Sequence, residues 1–304
     1  MEKNEIKSGG LHKLTGWDVA FYIFLYLFML IFCVVTIYPV LNTIAISFND
    51  GVDAMRGGVH LWPRMFTTQN YTTVLALRNI GRGAIISVLR TVLGTLFAVA
   101  ANALLAFIVS QKNFIFRSQL SLFWVITMYV NGGMIPIMLL YRNLHLTNSF
   151  WVYVIPGMLS GFNMLVMRTY MEGLPDSLQE AAQIDGAGYM KIFVSVVSPL
   201  CKPIYATIAL FVAVGQWNSW FDTMLYNRMA DQYTTLQYEL MKMLSAVTSL
   251  KGNTGAATSG TSVNITPVSV RAAATIITMA PIVMLYPFLQ RYFVAGLTIG
   301  GVKE

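Results

Sequence analysis

Residues 177–199 read SLQEAAQIDGAGYMKIFVSVVSP, a polar stretch that separates two long apolar segments of the chain. Ser177, followed three residues later by Glu180, has the pattern of a capping box, which predicts a helix that begins at Ser177. Gly186 can take the left-handed conformation that ends a helix, and Pro199 cannot continue a second helix after the turn. The stretch therefore predicts a stiff unit of helix, glycine turn and helix.

The sequence on both sides of this stretch is mostly apolar. Of the 304 residues, 56% are hydrophobic and 11% are charged, and the mean hydropathy is +0.61. A helix that crosses the hydrocarbon core of a bilayer needs about 20 mainly apolar residues. Six segments meet this requirement: 19–38, 84–109, 118–140, 150–168, 204–225 and 271–290. The sequence predicts an all-α, polytopic membrane protein of six transmembrane helices, with the helix-turn-helix between the fourth and fifth.

The connections between the segments give an orientation. The predicted cytoplasmic and outer sides carry nearly equal numbers of basic residues, but the short connections decide orientation, and 111–117, the most basic of them, favours an N-terminus inside the cell. Because a polar stretch precedes the first apolar segment, that segment is expected to be an uncleaved span. The predicted organisation is a cytoplasmic N-terminal segment 1–18, a transmembrane domain 19–290 with a cytoplasmic loop 172–200 and an outer loop 226–270, and a cytoplasmic tail 291–304.

Several kinds of chemistry lack their residues in this sequence. There is no GxxxxGK[S/T] loop that would hold a nucleotide phosphate. Cys33 and Cys201 have no metal-ligand spacing and are expected to be small buried apolar residues, and the three histidines are far apart. The net charge of +7 fits anionic lipid head groups better than nucleic acid. We therefore expect a chain that binds no metal or cofactor itself and catalyses no reaction.

A family resemblance enters with the motif around Glu180. Glu180-Ala181-Ala182, then Gly186, Val196 and Pro199 at their spacing, resemble the EAA motif of ATP-binding-cassette (ABC) importer permeases, with Val196 and Ser198 where that family prefers Ile and Leu. The resemblance implies that the loop is a coupling helix that docks on a nucleotide-binding subunit. The implied coupling residues are Ser177, Glu180, Ala181, Ala182, Asp185, Gly186 and Pro199.

Two further stretches resemble the carbohydrate-uptake permeases of the MalG and LplC type. Residues 131–136 with 142–144 are similar to that group's NGGxIP and RNL stretch, and residues 293–303 are similar to its FVAGLTxGGVK tail. The resemblance implies that the tail touches the ATPase pair through Gly296, Leu297 and Thr298. It also implies a cytoplasmic C-terminus.

The resemblance further implies an assembly and a mechanism. The expected partners are a second, different permease subunit, two ATPase subunits that use ATP and Mg, an extracytoplasmic solute-binding protein and membrane lipid, all at the bacterial cell membrane. Closure of the ATPase pair would move the coupling helices and turn the transmembrane cavity outward, so that a sugar or oligosaccharide enters by alternating access. The loop 226–270 is expected to reach the binding protein, with a flexible Gly/Ser-rich tip at 251–262.

Polar and aromatic residues in the fifth segment suggest a path for the sugar, because polar residues at membrane depth are costly unless they serve packing or passage. Gln216 and Trp220 are four residues apart and are expected to share a helix face, as are Asn218 and Asp222. The candidate path residues are Gln216, Trp217, Asn218 and Trp220. The alternative is an interfacial belt of aromatic side chains. Arg90 is expected to snorkel or to pair with a partner subunit.

Other functions remain open from the residues alone. The permease of an amino-acid or peptide importer would share the coupling loop, although the NGGxIP stretch and the tail argue against it. A secondary transporter would be expected to show an inverted repeat, and none is visible. A membrane-embedded enzyme predicts a cluster of catalytic carboxylates or histidines within the spans, which the sequence does not contain.

Overall fold

A computed structural model describes residues 16–252 and 266–299, with side chains at 16–245 and 266–284. These residues are helical apart from their connections and one isolated bridge between Asn49 and Phe66, which confirms the all-α prediction. The helices are α1 Gly16–Ser47, α2 Gly51–Met55, α3 Gln69–Ala76, α4 Arg78–Ser110, α5 Arg117–Tyr129, α6 Met134–Asn143, α7 Gly161–Glu172, α8 Asp176–Ile184, α9 Tyr189–Ile192, α10 Ser198–Leu200, α11 Lys202–Asn218, α12 Phe221–Tyr226, α13 Leu236–Gly252 and α14 Pro267–Ile299.

Helix α1 lies on the outside of the bundle and packs mainly along α14. Up to Leu41 its apolar side chains are exposed on all sides, as expected of a helix in contact with lipid. We predicted that the first span ends before Pro39, but the helix continues through Pro39 to Ser47. A bundle can accommodate the carbonyl that a proline leaves without a donor, so the apolar sequence carries the helix past this residue.

Helix α4 is the central element. It packs against α7, α11 and α13, and with 33 residues it is about 50 Å long. One face carries small and polar residues that are buried against these neighbours: Ser87, Arg90, Gly94, Ala98 and Asn102. We call this face the α4 stripe.

Three of the six predicted spans are not single helices. The segment 118–140 bends by 116° between α5 and α6, the segment 150–168 contains only a short 3-10 turn at Phe150–Tyr153 before α7, and the segment 204–225 breaks between α11 and α12. Within the described residues, three helices are long and apolar enough to cross a membrane, or five spans if each of two bent pairs counts as one. The six apolar segments therefore do not form six unbroken spans.

The connection 226–270 is more ordered than a loop. It contains α13, which packs on α4 and α14 through Leu236 and Leu240, next to Ala273 and Ala274. Most of the Gly/Ser-rich tip lies outside the described residues. Helix α14 continues to Ile299, so the predicted boundary at residue 290 falls inside a helix, and Gly296, Leu297 and Thr298 have helical backbones.

Candidate functional site

The predicted helix-turn-helix is present as α8, a turn at Gly186 and the helical run 189–200, which we call the elbow. Gly186 has φ of +76°, its N–H donates to the Gln183 carbonyl at 2.9 Å, and the Ala187 N–H donates to the Ala182 carbonyl at 2.9 Å. These paired bonds are those of a Schellman motif, which closes a helix through a left-handed residue. The prediction that Gly186 ends the first helix is confirmed.

Two details of the predicted elbow are wrong. The helix begins at Asp176 with Pro175 as its N-cap, and no side chain caps it, so Ser177 and Glu180 do not form a capping box. Pro175 disfavours a helical residue before it, and Asp176 places a negative charge at the positive end of the helix. The second helix does not stop at Pro199, because a π-helical turn at Phe193–Val197 leads into α10, which continues to Leu200.

The direction of the chain changes at Cys201, where Tyr189–Leu200 and Lys202–Asn218 meet at 80°. The second helix of the elbow therefore continues directly into the predicted fifth span. A displacement of the elbow would act on α11 through this corner.

Charged and polar contacts fasten the elbow to the turn that follows α4. Lys112 Nζ lies 2.5 Å from Asp176 Oδ2, and Gln111 donates to the Gln179 side chain at 3.2 Å. Next to them, Glu172 at the end of α7 pairs with Arg117 and with Arg168, whose Nε lies 2.7 Å away. The Tyr170 hydroxyl of α7 donates to the Leu200 carbonyl of the elbow at 3.4 Å, so the elbow is joined to α7 as well as to the turn after α4.

One face of α8 remains open. Ser177, Glu180, Ala181 and Ile184 recur at helical spacing and are exposed, and the Ile184 side chain is 87% exposed. Asp185 and Gly186 are exposed beside them. Ala182 packs against the core of the bundle, whereas Leu178 and Ala181 are exposed.

A second polar site lies inside the bundle, about 18 Å along α4 from its first residue. Arg90 is only 2% exposed, and its guanidinium donates to Gln216 Oε1 from Nε at 3.0 Å and from Nη2 at 2.9 Å. It also donates to Asp222 Oδ2 at 2.5 Å, to Asp222 Oδ1 at 3.2 Å and to the Ser219 carbonyl at 3.3 Å. The Tyr153 ring lies 4.3 Å below the guanidinium carbon. The expectation that Arg90 snorkels or pairs with another subunit is wrong.

The α4 stripe explains why the spans can break where they do. Asn102 donates to the Met158 carbonyl at 2.9 Å and accepts from the Ser160 N–H at 3.0 Å, in the irregular segment before α7. Arg90 binds the Ser219 carbonyl at the break between α11 and α12, and Ser87 accepts the Leu236 N–H at 2.9 Å. Because non-helical backbone at membrane depth needs polar partners, these side chains make the breaks tolerable.

A cavity of about 350 Å³ opens beside Arg90. Its polar and aromatic lining residues are Arg90, Tyr141, Tyr153, Gln216, Ser219, Asp222 and Tyr226, and the other lining residues are Val152, Pro156, Gly157, Val212 and Gly215. Of the candidate path residues, Gln216 lines this cavity, and its amide donates to the Tyr153 carbonyl at 3.0 Å.

The other candidate path residues lie elsewhere. Trp217 is 8% exposed and donates from Nε1 to the Thr278 carbonyl on α14 at 2.9 Å. Asn218 is exposed, and Trp220 is half-buried with its ring edge-on to Phe221. The helix breaks between Asn218 and Phe221, so the expected i,i+4 pairs do not share a helix face.

Sequence reasoning did not pair Arg90 with Asp222, which are 132 positions apart. A signal was present, because each is a charged residue within an apolar segment and such charges usually pair inside a bundle. Tyr153, the aromatic residue under the guanidinium, had no signal that set it apart from other tyrosines.

No protein-family model matches the sequence. The polygalacturonan/rhamnogalacturonan transport system permease protein YtcP of Bacillus subtilis (strain 168) is 30% identical over 279 residues, which are 92% of this chain and 96% of that protein. Protein LplC of the same organism is 32% identical over 272 residues, 88% of this chain and 90% of that one.

Among solved structures, a chain from the crystal structure of a bacterial ABC transporter involved in the import of the acidic polysaccharide alginate superposes with a TM-score of 0.82 at 27% identity. The match covers 92% of this chain and 98% of that chain. The fold and the polytopic architecture are therefore shared along almost the full length.

Proposed function

The chain belongs to the permease subunits of sugar ABC transporters, and on that premise we propose that its elbow couples a sugar path in this subunit to a separate ATPase. The main function is the transport of a sugar or oligosaccharide across the bacterial membrane. The relatives are named for sugar polymers or oligosaccharides, which favours this cargo over amino acids or peptides.

The observation that carries the coupling proposal is the exposed face of α8. Ile184 presents an apolar side chain that is 87% exposed, at the end of a helix whose other side is fastened to the turn after α4. Leu178, Ala181 and Ile184 follow each other at a spacing of three residues along α8 and are all exposed, and such a run of exposed apolar side chains on one face is typical of a protein contact. In this proposal the contact is with the ATPase subunit, which hydrolyses ATP with Mg, while this chain holds neither.

The mechanical part of the proposal follows from the corner at Cys201. The ATPase can shift the equilibrium between two states of the bundle only by making different contacts with the elbow in each state. Because the second helix of the elbow continues into α11, a rotation of the elbow would move the wall that carries Gln216. The elbow and the sugar path would then change together.

The topology and the remaining partners belong to the same proposal. With the elbow in the cytoplasm, six crossings, some of them through broken helices, bring both termini to the cytoplasmic side. Gly296, Leu297 and Thr298 would add a second ATPase contact. A second permease subunit would complete the path along Gln216, Asn218 and Trp220, and an extracytoplasmic binding protein would deliver the cargo to the opposite end of the bundle, where α13 lies.

The coupling role is tested by Gly186→Pro, with Gly188→Ala as the matched control. Proline cannot adopt φ of +76° and removes the N–H that bonds Gln183, whereas a methyl group at Gly188 meets nothing within 4 Å. We expect Gly186→Pro to insert into the membrane at a normal level yet to lose uptake of radiolabelled oligosaccharide and the cargo-stimulated ATPase activity of the complex. Normal uptake by Gly186→Pro would contradict the coupling role.

A further inference from the structure

The cavity beside Arg90 differs in its lining from two other cavities among the described side chains. One of those is lined by Phe97, Trp151 and aliphatic residues, and the other mainly by apolar residues near Phe107. The cavity beside Arg90 combines a carboxylate, an amide and three tyrosines at membrane depth. A small number of convergent polar groups in an otherwise apolar wall is the usual composition of a small-molecule site.

The cation in this cavity has no free donor. A guanidinium carries five N–H donors, and Arg90 makes five hydrogen bonds, to Gln216, Asp222 and the Ser219 carbonyl. With 2% of its surface exposed, it cannot offer a bidentate fork to a carboxylate in the cavity unless Asp222 leaves. The charges of Arg90 and Asp222 also cancel each other, so Arg90 does not attract an anion into the cavity.

Asp222, in contrast, keeps acceptor capacity. Its Oδ1 accepts from Arg90 and from the Thr223 N–H at 2.8 Å, whereas its Oδ2 accepts one hydrogen bond, from Arg90. The side chain is 24% exposed and lines the cavity. An ionised carboxylate only accepts hydrogen bonds, so the group that binds it from the cavity must be a donor such as a hydroxyl. A second carboxylate at this position would meet a like charge.

The aromatic walls fit the rest of a sugar ring. Tyr141 and Tyr226 line the cavity with ring centroids 5.0 Å apart, and each combines an apolar ring with a hydroxyl. Such side chains can cover the C–H face of a sugar while the hydroxyls hydrogen-bond its edge. Resting on the proposed function, we propose that the cavity holds one uncharged ring of the cargo by its hydroxyl groups, with the Asp222 carboxylate as the acceptor.

Gly215 offers a probe in the wall of the cavity. A Cβ at this glycine meets nothing within 4 Å, and so does one at Gly81, an exposed residue of α4 that is not among the residues lining the cavity. In the assembled complex with Cys33→Ala, which removes the exposed native thiol, Gly215→Cys and Gly81→Cys are each labelled with N-ethylmaleimide. The labelling rate on this chain is followed by mass spectrometry, with and without maltotriose, arabinotriose, galactotriose or trigalacturonate.

Uptake of the same four oligosaccharides by cells identifies those that the transporter imports. We expect a neutral trisaccharide that is imported to slow labelling of Gly215→Cys at least about threefold, with no change at Gly81→Cys, and trigalacturonate to leave both rates unchanged. Import of a neutral trisaccharide without protection would overturn the proposal, and would indicate that lipid or the second permease fills the cavity. Equal protection by trigalacturonate would overturn the assignment to an uncharged ring. If cells import none of the four oligosaccharides, the result would instead contradict the proposed function.

A second variant checks the same cavity without chemical labelling. Gly215→Leu fills the space beside Gln216, and Gly81→Leu adds the same side chain outside it. We expect the maximal uptake rate to fall at least about tenfold for Gly215→Leu and to stay within about twofold for Gly81→Leu, at equal amounts of assembled complex. Equal rates in the two variants would overturn the proposal.

Discussion

Replacing Arg90 by leucine removes the cation that pairs with Asp222 and leaves the Asp222 carboxylate without its counterion. Breaking a buried ion pair from one side costs about 3–5 kcal/mol, because the remaining charge is uncompensated. Asp222 is 24% exposed and keeps its bond to the Thr223 N–H, so we expect a cost near the lower end, about 3 kcal/mol.

The exposed Arg82, on the same helix, provides the matched control, because surface substitutions usually change stability by no more than about 0.5 kcal/mol. The double variant with Arg90→Leu and Asp222→Leu removes both charges. We expect it to be more stable than Arg90→Leu alone, since apolar residues often replace a buried ion pair at little cost.

The measurement is the free energy of unfolding from denaturant titrations in mixed micelles, followed by tryptophan fluorescence. A cost for Arg90→Leu that matches Arg82→Leu would refute the reasoning. So would a double variant whose cost equals the sum of the two single changes, because the two residues would then not be coupled.

Three further variants test separate parts of the structure. Glu180→Lys reverses a charge on the exposed face of α8 and should abolish uptake while membrane insertion, measured by fractionation, stays normal; unchanged uptake would contradict the docking role. Gly161→Ala brings a Cβ within 2.9 Å of the Trp124 carbonyl oxygen and the Met128 Cγ, so it should lower the unfolding free energy by about 1–3 kcal/mol, and a neutral result would refute that close packing. The hydrogen bond from Asn49 and the charge of Arg64 hold the pKa of Asp53 below its usual value, so its stabilising contribution is present above the unfolded-state pKa and lost as the pH falls through the folded one. The unfolding midpoint of the wild type should therefore approach that of Asp53→Asn at acidic pH, and a constant difference between them would contradict this.

The sequence predicted the elements whose signal is local. The apolar segments lie in the helical bundle, and Gly186 ends α8 because only a residue that tolerates positive φ suits that position. The start of α8 was misplaced by one residue, because the capping pattern at Ser177 hid the stronger effect of Pro175 and Asp176 just before it.

The breaks in the spans depend on contacts that are distant in sequence. Asn102 hydrogen-bonds the irregular backbone before α7, and Arg90 hydrogen-bonds the backbone at the end of α11. Both side chains come from α4, and they are 56 and 129 positions away from the carbonyls that they bind. Hydropathy records only that these segments are apolar, so it cannot show where a side chain from α4 makes a break tolerable. Arg90 and Asp222, which pair in the lining of the cavity, are similarly far apart in sequence, so their pairing was missed for the same reason.

The most direct test of the coupling account is a photo-crosslink from position 184 in the intact membrane. A photoreactive residue in place of Ile184 stands on the exposed face of α8, 87% exposed in this subunit. The account predicts a crosslink to the ATPase subunit whose yield changes between ATP-bound and nucleotide-free states, as expected of a contact that differs between two conformations. A crosslink to the extracytoplasmic binding protein, or none to the ATPase in a complex that still imports sugar, would contradict it.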